Sequence, residues 1–252
     1  MKRNILITSG GTTEQIDAVR GITNISTGKL GSIIAAQFAA EPTVGKIYYV
    51  CGKKSIQPQT DKLEVIYVDS VSSLEDAVRE VCGSANIDVI IHSMAVSDYR
   101  VASVTSAAKL AELTLSNLDS LHALDPKAAE DAFVSLVGKS ESVIQGDGKI
   151  SSNVDDMILL MERTPKVISL FQTIAPHAKL VGFKLLDHAP HETLIDRGYQ
   201  VLRENKCTYV LANDLRDITG VGHIGYLIDK DRNYTKYETK AEIAAAIIAA
   251  LL

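Results

Sequence analysis

The chain has 252 residues, nearly half of them apolar, and a formal net charge of −5. That length suits one large α/β domain or two small ones, and the acidic balance argues against nucleic-acid binding, which leaves a basic footprint. No run approaches the roughly 18 apolar residues that a membrane span needs.

The opening "MKRNILITSGG" has two basic residues but no long apolar core or cleavage pattern, so it reads as a first strand and not as a signal peptide. Further strand candidates are residues 46–52, 63–68, 88–95, 179–185 and 207–213, all short and rich in β-branched residues, as buried parallel strands are. Helix candidates lie between them at 29–40, 70–82, 155–172 and 192–206. This alternation predicts a doubly wound, Rossmann-like and mostly parallel sheet. With no tryptophan and few aromatics, its core is expected to be aliphatic. Residues 101–148 break the rhythm with no clear strand and are expected to form a partly helical insertion that ends in a Gly/Asp/Ser-rich loop. Residues 224–240 read as a β-hairpin turning about Asp229–Asn233, and "AEIAAAIIAALL" as a closing helix. Cys51, Cys82 and Cys207 have no CxxC spacing and read as free thiols of a reducing cytosol.

Two turn-rich stretches follow the first strand candidate: "TSGGTT" (8–13) and "NISTGKLG" (24–31), the second at a helix start. Glycine lets a backbone approach phosphate closely, and a helix N-terminus offers free N–H groups. Neither stretch is a GxGxxG fingerprint or a GxxxxGK[ST] loop. Taken alone, 24–31 reads equally well as an ordinary Ser/Thr-rich cap. Polar stretches at other strand ends turn the reading toward a ligand site: "SMAVSDYR" (93–100), "VGFK" (181–184) and "LANDL" (211–215). In doubly wound sheets, ligands bind outside the carboxyl ends of the strands.

Here the chain resembles the phosphopantothenate–cysteine ligases of coenzyme A biosynthesis. The motifs that carry the resemblance are "ITSGGTTEQIDAVRGITNISTGKLG" (7–31), "AVSDYR" (95–100), "GKISS" (148–152), "LVGFKLL" (180–186) and "LANDL" (211–215), in the family's order across nearly the whole chain. The resemblance implies one ligase domain over residues 1–252, with an insertion and flap at about 101–152. It implies a two-step reaction in which the carboxylate of 4'-phosphopantothenate takes a nucleotidyl group and L-cysteine then displaces it. By resemblance, Asn24 orients the acyl-phosphate centre and Lys149 is the flap cation, the two catalytic positions. Arg20, Ala95 and Asp98 fall at substrate positions, Arg20 reaching across a dimer interface. Gly10, Gly11, Ser26, Gly28, Gly31, Phe183 and Asn213 fall at nucleotide positions. Magnesium is implied as the triphosphate's counter-ion, with its ligands unknown, and a cytoplasmic homodimer is implied as the assembly. CTP is taken as the nucleotide on the habit of the bacterial members, with ATP, used by the eukaryotic ones, as the alternative.

The chain departs from the family pattern in two places. The decarboxylase domain of the bifunctional forms is absent from this sequence, which implies the stand-alone type. The lysine-rich flap keeps only Lys149, because Ser151 and Ser152 stand where lysines are usual. Two rival signals are weaker. Tyr226 and Lys230 fit a YxxxK reductase pair, but they fall in the expected hairpin with no dinucleotide fingerprint. His188 and His191 flank Pro190, which bars a regular helix between them, and read as a solvated loop. A non-catalytic nucleotide-binding module is the remaining alternative, though such a module would not need Asn24 and Lys149 together.

Overall fold

The computed structural model describes residues 2–137, 148–219 and 222–252, and the chain divides into two compact units. Unit 1 comprises residues 1–12, 23–96 and 166–252, and unit 2 comprises residues 13–22 and 97–165.

Unit 1 is built on an eight-stranded sheet. Its parallel part contains β1 (Arg3–Ser9), β4 (Val44–Cys51), β5 (Leu63–Tyr67), β6 (Val89–His92), β9 (Lys179–Leu186) and β10 (Tyr209–Asp214), in the spatial order β5-β4-β1-β6-β9-β10. The antiparallel hairpin β11 (Gly225–Ile228) and β12 (Tyr234–Tyr237) extends the sheet beyond β10. Its turn is closed by Asp229 N–H donating to the Asn233 carbonyl at 2.9 Å, where the sequence placed it.

Successive side chains of a strand point to opposite faces, and here both faces are apolar. Ile5, Ile7, Tyr49, Ile91, Val181 and Leu211 pack on one face beneath α1 (Lys29–Ala40) and α8 (Lys240–Leu251). Leu6, Val50, Ile90, Leu180 and Val210 face the other way, under α2 (Val71–Ser84) and α6 (Val167–Ile174). α7 (His191–Glu204) packs Leu194 and Ile195 on Ala212 and Ile228. This is the doubly wound fold that the sequence predicts. α1 matches its expected bounds, and its buried Gly31, Ile34, Ala35 and Phe38 fall at the three- and four-residue spacing of one helix face. Reciprocal capping boxes fix the starts of α2 (Ser70 with Ser73) and α8 (Thr239 with Glu242).

Unit 2 corrects two expectations. Residues 101–148 were expected to contain no strand, yet β7 (Tyr99–Ser106) runs into them. Residues 155–172 were expected to form one helix, but they divide into β8 (Met157–Arg163) and α6. β7 and β8 pair antiparallel with a bulge between Val101 and Ser103, and the cross-strand pair Arg100–Glu162 bonds at 2.6 Å. The apolar run "MILLM" suits helix or strand, and its distant partner strand decides for strand; Pro165 then separates β8 from the helix that follows. The helical part of the insertion is α3 (Ala107–Ser116), α4 (Leu118–His122) and α5 (Pro126–Val137). Most of its expected terminal loop, residues 138–147, lies outside the described residues. A short hairpin, β2 (Thr13–Gln15) with β3 (Gly21–Thr23), carries the loop Ile16–Arg20.

Among the described residues, no helix is long and apolar enough to cross a membrane. Tyr226 lies in β11 and packs edge-on against His191 at 4.8 Å between ring centres, so Tyr226 and Lys230 are not neighbours on a helix.

Candidate nucleotide and acyl-transfer site

The order of the parallel strands reverses at β1 and β6, which lie side by side at the centre of the sheet. A crevice opens beyond the carboxyl ends of two such strands. Four segments of unit 1 meet there. β1 ends at Ser9 and the chain continues as Gly10-Gly11-Thr12, and after β6 it continues as Ser93-Met94-Ala95. Ala95 N–H donates to the Gly10 carbonyl at 2.8 Å, and Thr12 N–H to the Ala95 carbonyl at 3.1 Å, so the two loops run on as a parallel bridge. Asn24 joins them through its N–H, bonded to the Thr12 carbonyl at 3.1 Å, and it is half-buried.

The glycines are set by close approach. Gly10 (φ +88°) and Gly28 (φ +72°) occupy left-handed backbone that glycine adopts without strain. A Cβ on Gly28 would stand 2.8 Å from Ser9 Oγ, and one on Gly10 would collide with the Ser55 hydroxyl. A Cβ on Gly31, in the first turn of α1, would collide with Ser9 Oγ and stand 2.8 Å from Ser93 Oγ. Gly11 lies directly against the Asn24 carbonyl. Gly10, Gly11, Asn24, Gly28, Gly31 and Ala95 therefore share one small cradle. Ser26, exposed at its edge, accepts from Gly28 N–H at 3.4 Å.

Ser9, Ser93 and Ser55 were not among the residues predicted from sequence. Ser9 closes β1 and Ser93 directly follows β6, at the carboxyl ends of the two switch-point strands, and that position was readable from the sequence. Ser55 was not legible, because its contact with Gly10 depends on the loop after β4. That loop is tied down by Ser55 N–H to Gly52 O (2.9 Å), Ile56 N–H to Thr27 O (3.0 Å) and Tyr49 OH to Ile56 O (2.9 Å).

The lining is hydroxyls, backbone N–H groups and an amide. None of the segments 9–11, 24–31, 52–55 and 93–95 contains an aspartate or glutamate, while Lys29, Lys53 and Lys54 are exposed within them. In an acidic chain this is a local positive surface, suited to a phosphate-bearing anion. Among the described residues no three histidine, cysteine, aspartate or glutamate side chains cluster to hold a metal. The hydroxyls, backbone groups and amide of the four segments offer a divalent cation no carboxylate.

Phe183 is half-buried in β9, in register with Leu211 of β10, and Asn213 is buried near the end of β10, in register with Leu185. β9 pairs with β6 and β10 pairs with β9, so Phe183 is one strand and Asn213 two strands from β6. The neighbouring Asp214 carboxylate accepts from His188 N–H (3.1 Å), Ala189 N–H (2.8 Å) and Arg216 N–H (3.1 Å). Burial pushes its pKa up, but these donors outweigh it and hold the carboxyl below its ordinary range. A cavity of about 170 Å³ lies elsewhere, lined by Tyr209, Leu227, Tyr234 and Ala246 among others, and contains none of the predicted site residues.

Arg20, Asp98 and Lys149 belong to unit 2. Asp98 is exposed just before β7, and its carbonyl accepts from Thr164 N–H at 3.0 Å. Lys149 is exposed between Gly148 and the buried Ile150. Arg20 is pinned within its own chain: its Nε donates to Asp17 Oδ2 at 2.9 Å and its terminal nitrogen to the Ile150 carbonyl at 2.9 Å.

Residues 1–123 match the family described as DNA/pantothenate metabolism flavoprotein C-terminal domain. A crystal structure described as the DNA/pantothenate metabolism flavoprotein from Streptococcus pneumoniae is 30% identical, with a TM-score of 0.77, and the match covers 98% of this chain and 97% of that one. A coenzyme A biosynthesis bifunctional protein CoaBC from Methanocaldococcus jannaschii is 26% identical over 251 residues, 97% of this chain and 49% of its own. A Cab2 mutant solved in complex with phosphopantothenate-cysteine has a TM-score of 0.66 over 98% of this chain and 85% of its own; at 17% identity it speaks for the fold alone. The chain spans about half the length of the curated relatives that it matches over most of its own length. With its switch-point sheet and with near-complete coverage of the Streptococcus pneumoniae protein at 30% identity, the chain belongs to the family of the DNA/pantothenate metabolism flavoprotein C-terminal domain.

Proposed function

We propose that the chain is a phosphopantothenate–cysteine ligase of coenzyme A biosynthesis. The observation that carries the reading is the acid-free cradle of glycines and hydroxyls at the switch point, with Asn24 seated on Gly11. The names of the matched relatives, which concern pantothenate and coenzyme A, point the same way.

In this reading the nucleotide phosphates lie on the backbone N–H groups around Gly10, Gly28 and the start of α1. A carboxylate oxygen of 4'-phosphopantothenate attacks the α-phosphorus, and the bond to the leaving pyrophosphate breaks. The amine of cysteine then attacks the acyl carbon and loses a proton, and the acyl–oxygen bond to the nucleoside monophosphate breaks. An amide remains. The Asn24 side chain holds the acyl-phosphate by a neutral amide, which orients it without attacking it. Lys149 offsets the negative charge that grows on the transferring phosphoryl group. Arg20, Ala95 and Asp98 serve the acyl substrate, and Ser26, Gly31, Phe183 and Asn213 serve the nucleotide. CTP is the proposed nucleotide, with magnesium as its counter-ion, and a homodimer is the proposed assembly.

The test is pyrophosphate release with 4'-phosphopantothenate, cysteine and magnesium, run in parallel with CTP and ATP. Release that requires phosphopantothenate and is faster with CTP is the expected result. Faster release with ATP would replace the nucleotide alone. Release with neither would leave a binding module in place of a ligase.

A further inference from the structure

Lys149 stands in a loop, and a lysine acting on a transferring phosphoryl group needs a fixed base: misplacement by about 1 Å can cost on the order of a hundredfold in rate. The structure supplies that base from the Ile16–Arg20 loop. Ile16 N–H and Asp17 N–H both donate to the Arg20 carbonyl, at 2.8 and 3.2 Å, which closes the loop on itself. Asp17 Oδ1 then accepts from Val19 N–H and Arg20 N–H, each at 2.9 Å. Its other oxygen, Oδ2, accepts from the Arg20 guanidinium and from Ile150 N–H at 3.1 Å. The same guanidinium donates to the Ile150 carbonyl at 2.9 Å. On the other side of Lys149, the Gly148 carbonyl accepts from Ala18 N–H at 2.7 Å. Both neighbours of Lys149 are therefore held, and two of the three bonds that hold them involve Asp17 or its partner Arg20.

We propose that Asp17 is a positioning residue for Lys149, fixing the backbone on which that lysine swings. This rests on the part given to Lys149 in the proposed ligase reaction. The Asp17 side chain is 4% exposed and accepts from three backbone N–H groups and one guanidinium, more than a loop-forming aspartate needs. The Arg20 guanidinium, followed by the backbone donors, holds its carboxyl well below the ordinary carboxylate range, so it is an anion at any pH at which the protein works. The Arg20 guanidinium, in addition to the substrate part proposed for it, holds Ile150 next to the flap lysine.

The variant that tests this is Asp17→Asn. It keeps the size of the side chain but turns one accepting oxygen into a donor, and it removes the charge paired with Arg20. Trypsin cleavage after Lys149 should speed up about tenfold in the folded variant, with cleavage at lysines and arginines outside the clamp unchanged. Pyrophosphate release should fall about tenfold in kcat with KM for cysteine unchanged. Asp17→Asn combined with Lys149→Ala should be no slower than Lys149→Ala alone, because residues that act as one unit do not add. Unchanged cleavage after Lys149, or losses that multiply in the double variant, would overturn the proposal. Failure of the ligase reading is visible separately, as no pyrophosphate from the unaltered chain, while the proteolysis reports on the clamp in either case.

Discussion

The carbonyl of Asn24 lies directly against the α-carbon of Gly11, in space that any side chain at position 11 would need. The residue proposed to hold the reacting centre is thus seated on a glycine fixed by the β1–β6 bridge. Gly11→Ala should push Asn24 away, costing about 1–3 kcal/mol in stability as overpacking does and about a hundredfold in turnover. Urea unfolding and pyrophosphate release measure the two effects, and a fully active, fully stable Gly11→Ala would contradict this account of the seat.

Asn24→Asp changes one atom and adds a negative charge where phosphates are proposed to bind. Turnover should fall by roughly 10²–10³-fold, the range seen when one oriented donor is lost. Because Asn24 is tied to the fold through its backbone N–H, the thermal midpoint should hardly move. Pyrophosphate release beside a calorimetric scan separates the two outcomes.

Acid should destabilise the fold before its carboxylates titrate. Burial holds the pKa of His92 down to about 4, and its Nδ1 lies 2.8 Å from Thr8 Oγ1. An unfolded histidine titrates near 6.5. Above that pH neither state carries the proton. Between about 6.5 and 4 the unfolded chain binds it and the folded chain does not, so stability falls as pH falls, by at most about 1.4 kcal/mol per unit for this residue. His223, whose ring nitrogens meet no hydrogen-bond partner among the described residues, is lowered to about 4 by burial and by Lys240 and acts in the same direction. Carboxylates held low in the fold, such as Asp17 and Asp214, add their loss only at more acid pH. Urea midpoints from pH 7.5 to 4.5 should slope accordingly, and His92→Gln should flatten the slope.

The cysteines should be slow to react. Burial pushes Cys51 and Cys82 up to about 11 and Cys207 up to about 12. At pH 8 the thiolate fraction is then on the order of 10⁻³ or less, and the thiolate is the reactive form. Labelling by a disulfide reagent should run at least a hundredfold faster in denaturant than in the native protein. Native labelling as fast as that of free cysteine would show these thiols to be more open than the fold places them.

The parallel sheet was legible because its strands carry their burial with them. Runs such as Ile5–Ile7 and Val89–Ile91 are apolar on both faces, and only a covered parallel strand needs that. The α1 boundary was legible because Gly28 marks the turn before an apolar helix face. Unit 2 was harder to read. Met157–Arg163 has no local mark of a strand, and its partner is more than fifty residues away in β7. The cradle was legible in its glycines and Asn24, which sit in one short motif. Ser55 and the Asp17 clamp depend on loops meeting in space, and no spacing along the chain announces that.

The interrupted layout of unit 1 has a consequence for how the chain comes to be folded. β6 pairs with β9 through Val89–Lys179 and the residues that follow, yet the chain builds most of unit 2 between them. During synthesis β1, β4, β5 and β6 can assemble early, while one edge of β6 waits, unpaired and apolar. Closing such a distant pairing is slow, because loop entropy is lost before the contact forms. The open edge is also a template for other chains. Variants that delay unit 2 should therefore lose soluble yield more than they lose native stability, and the vulnerable species will be a half-sheet ending at β6.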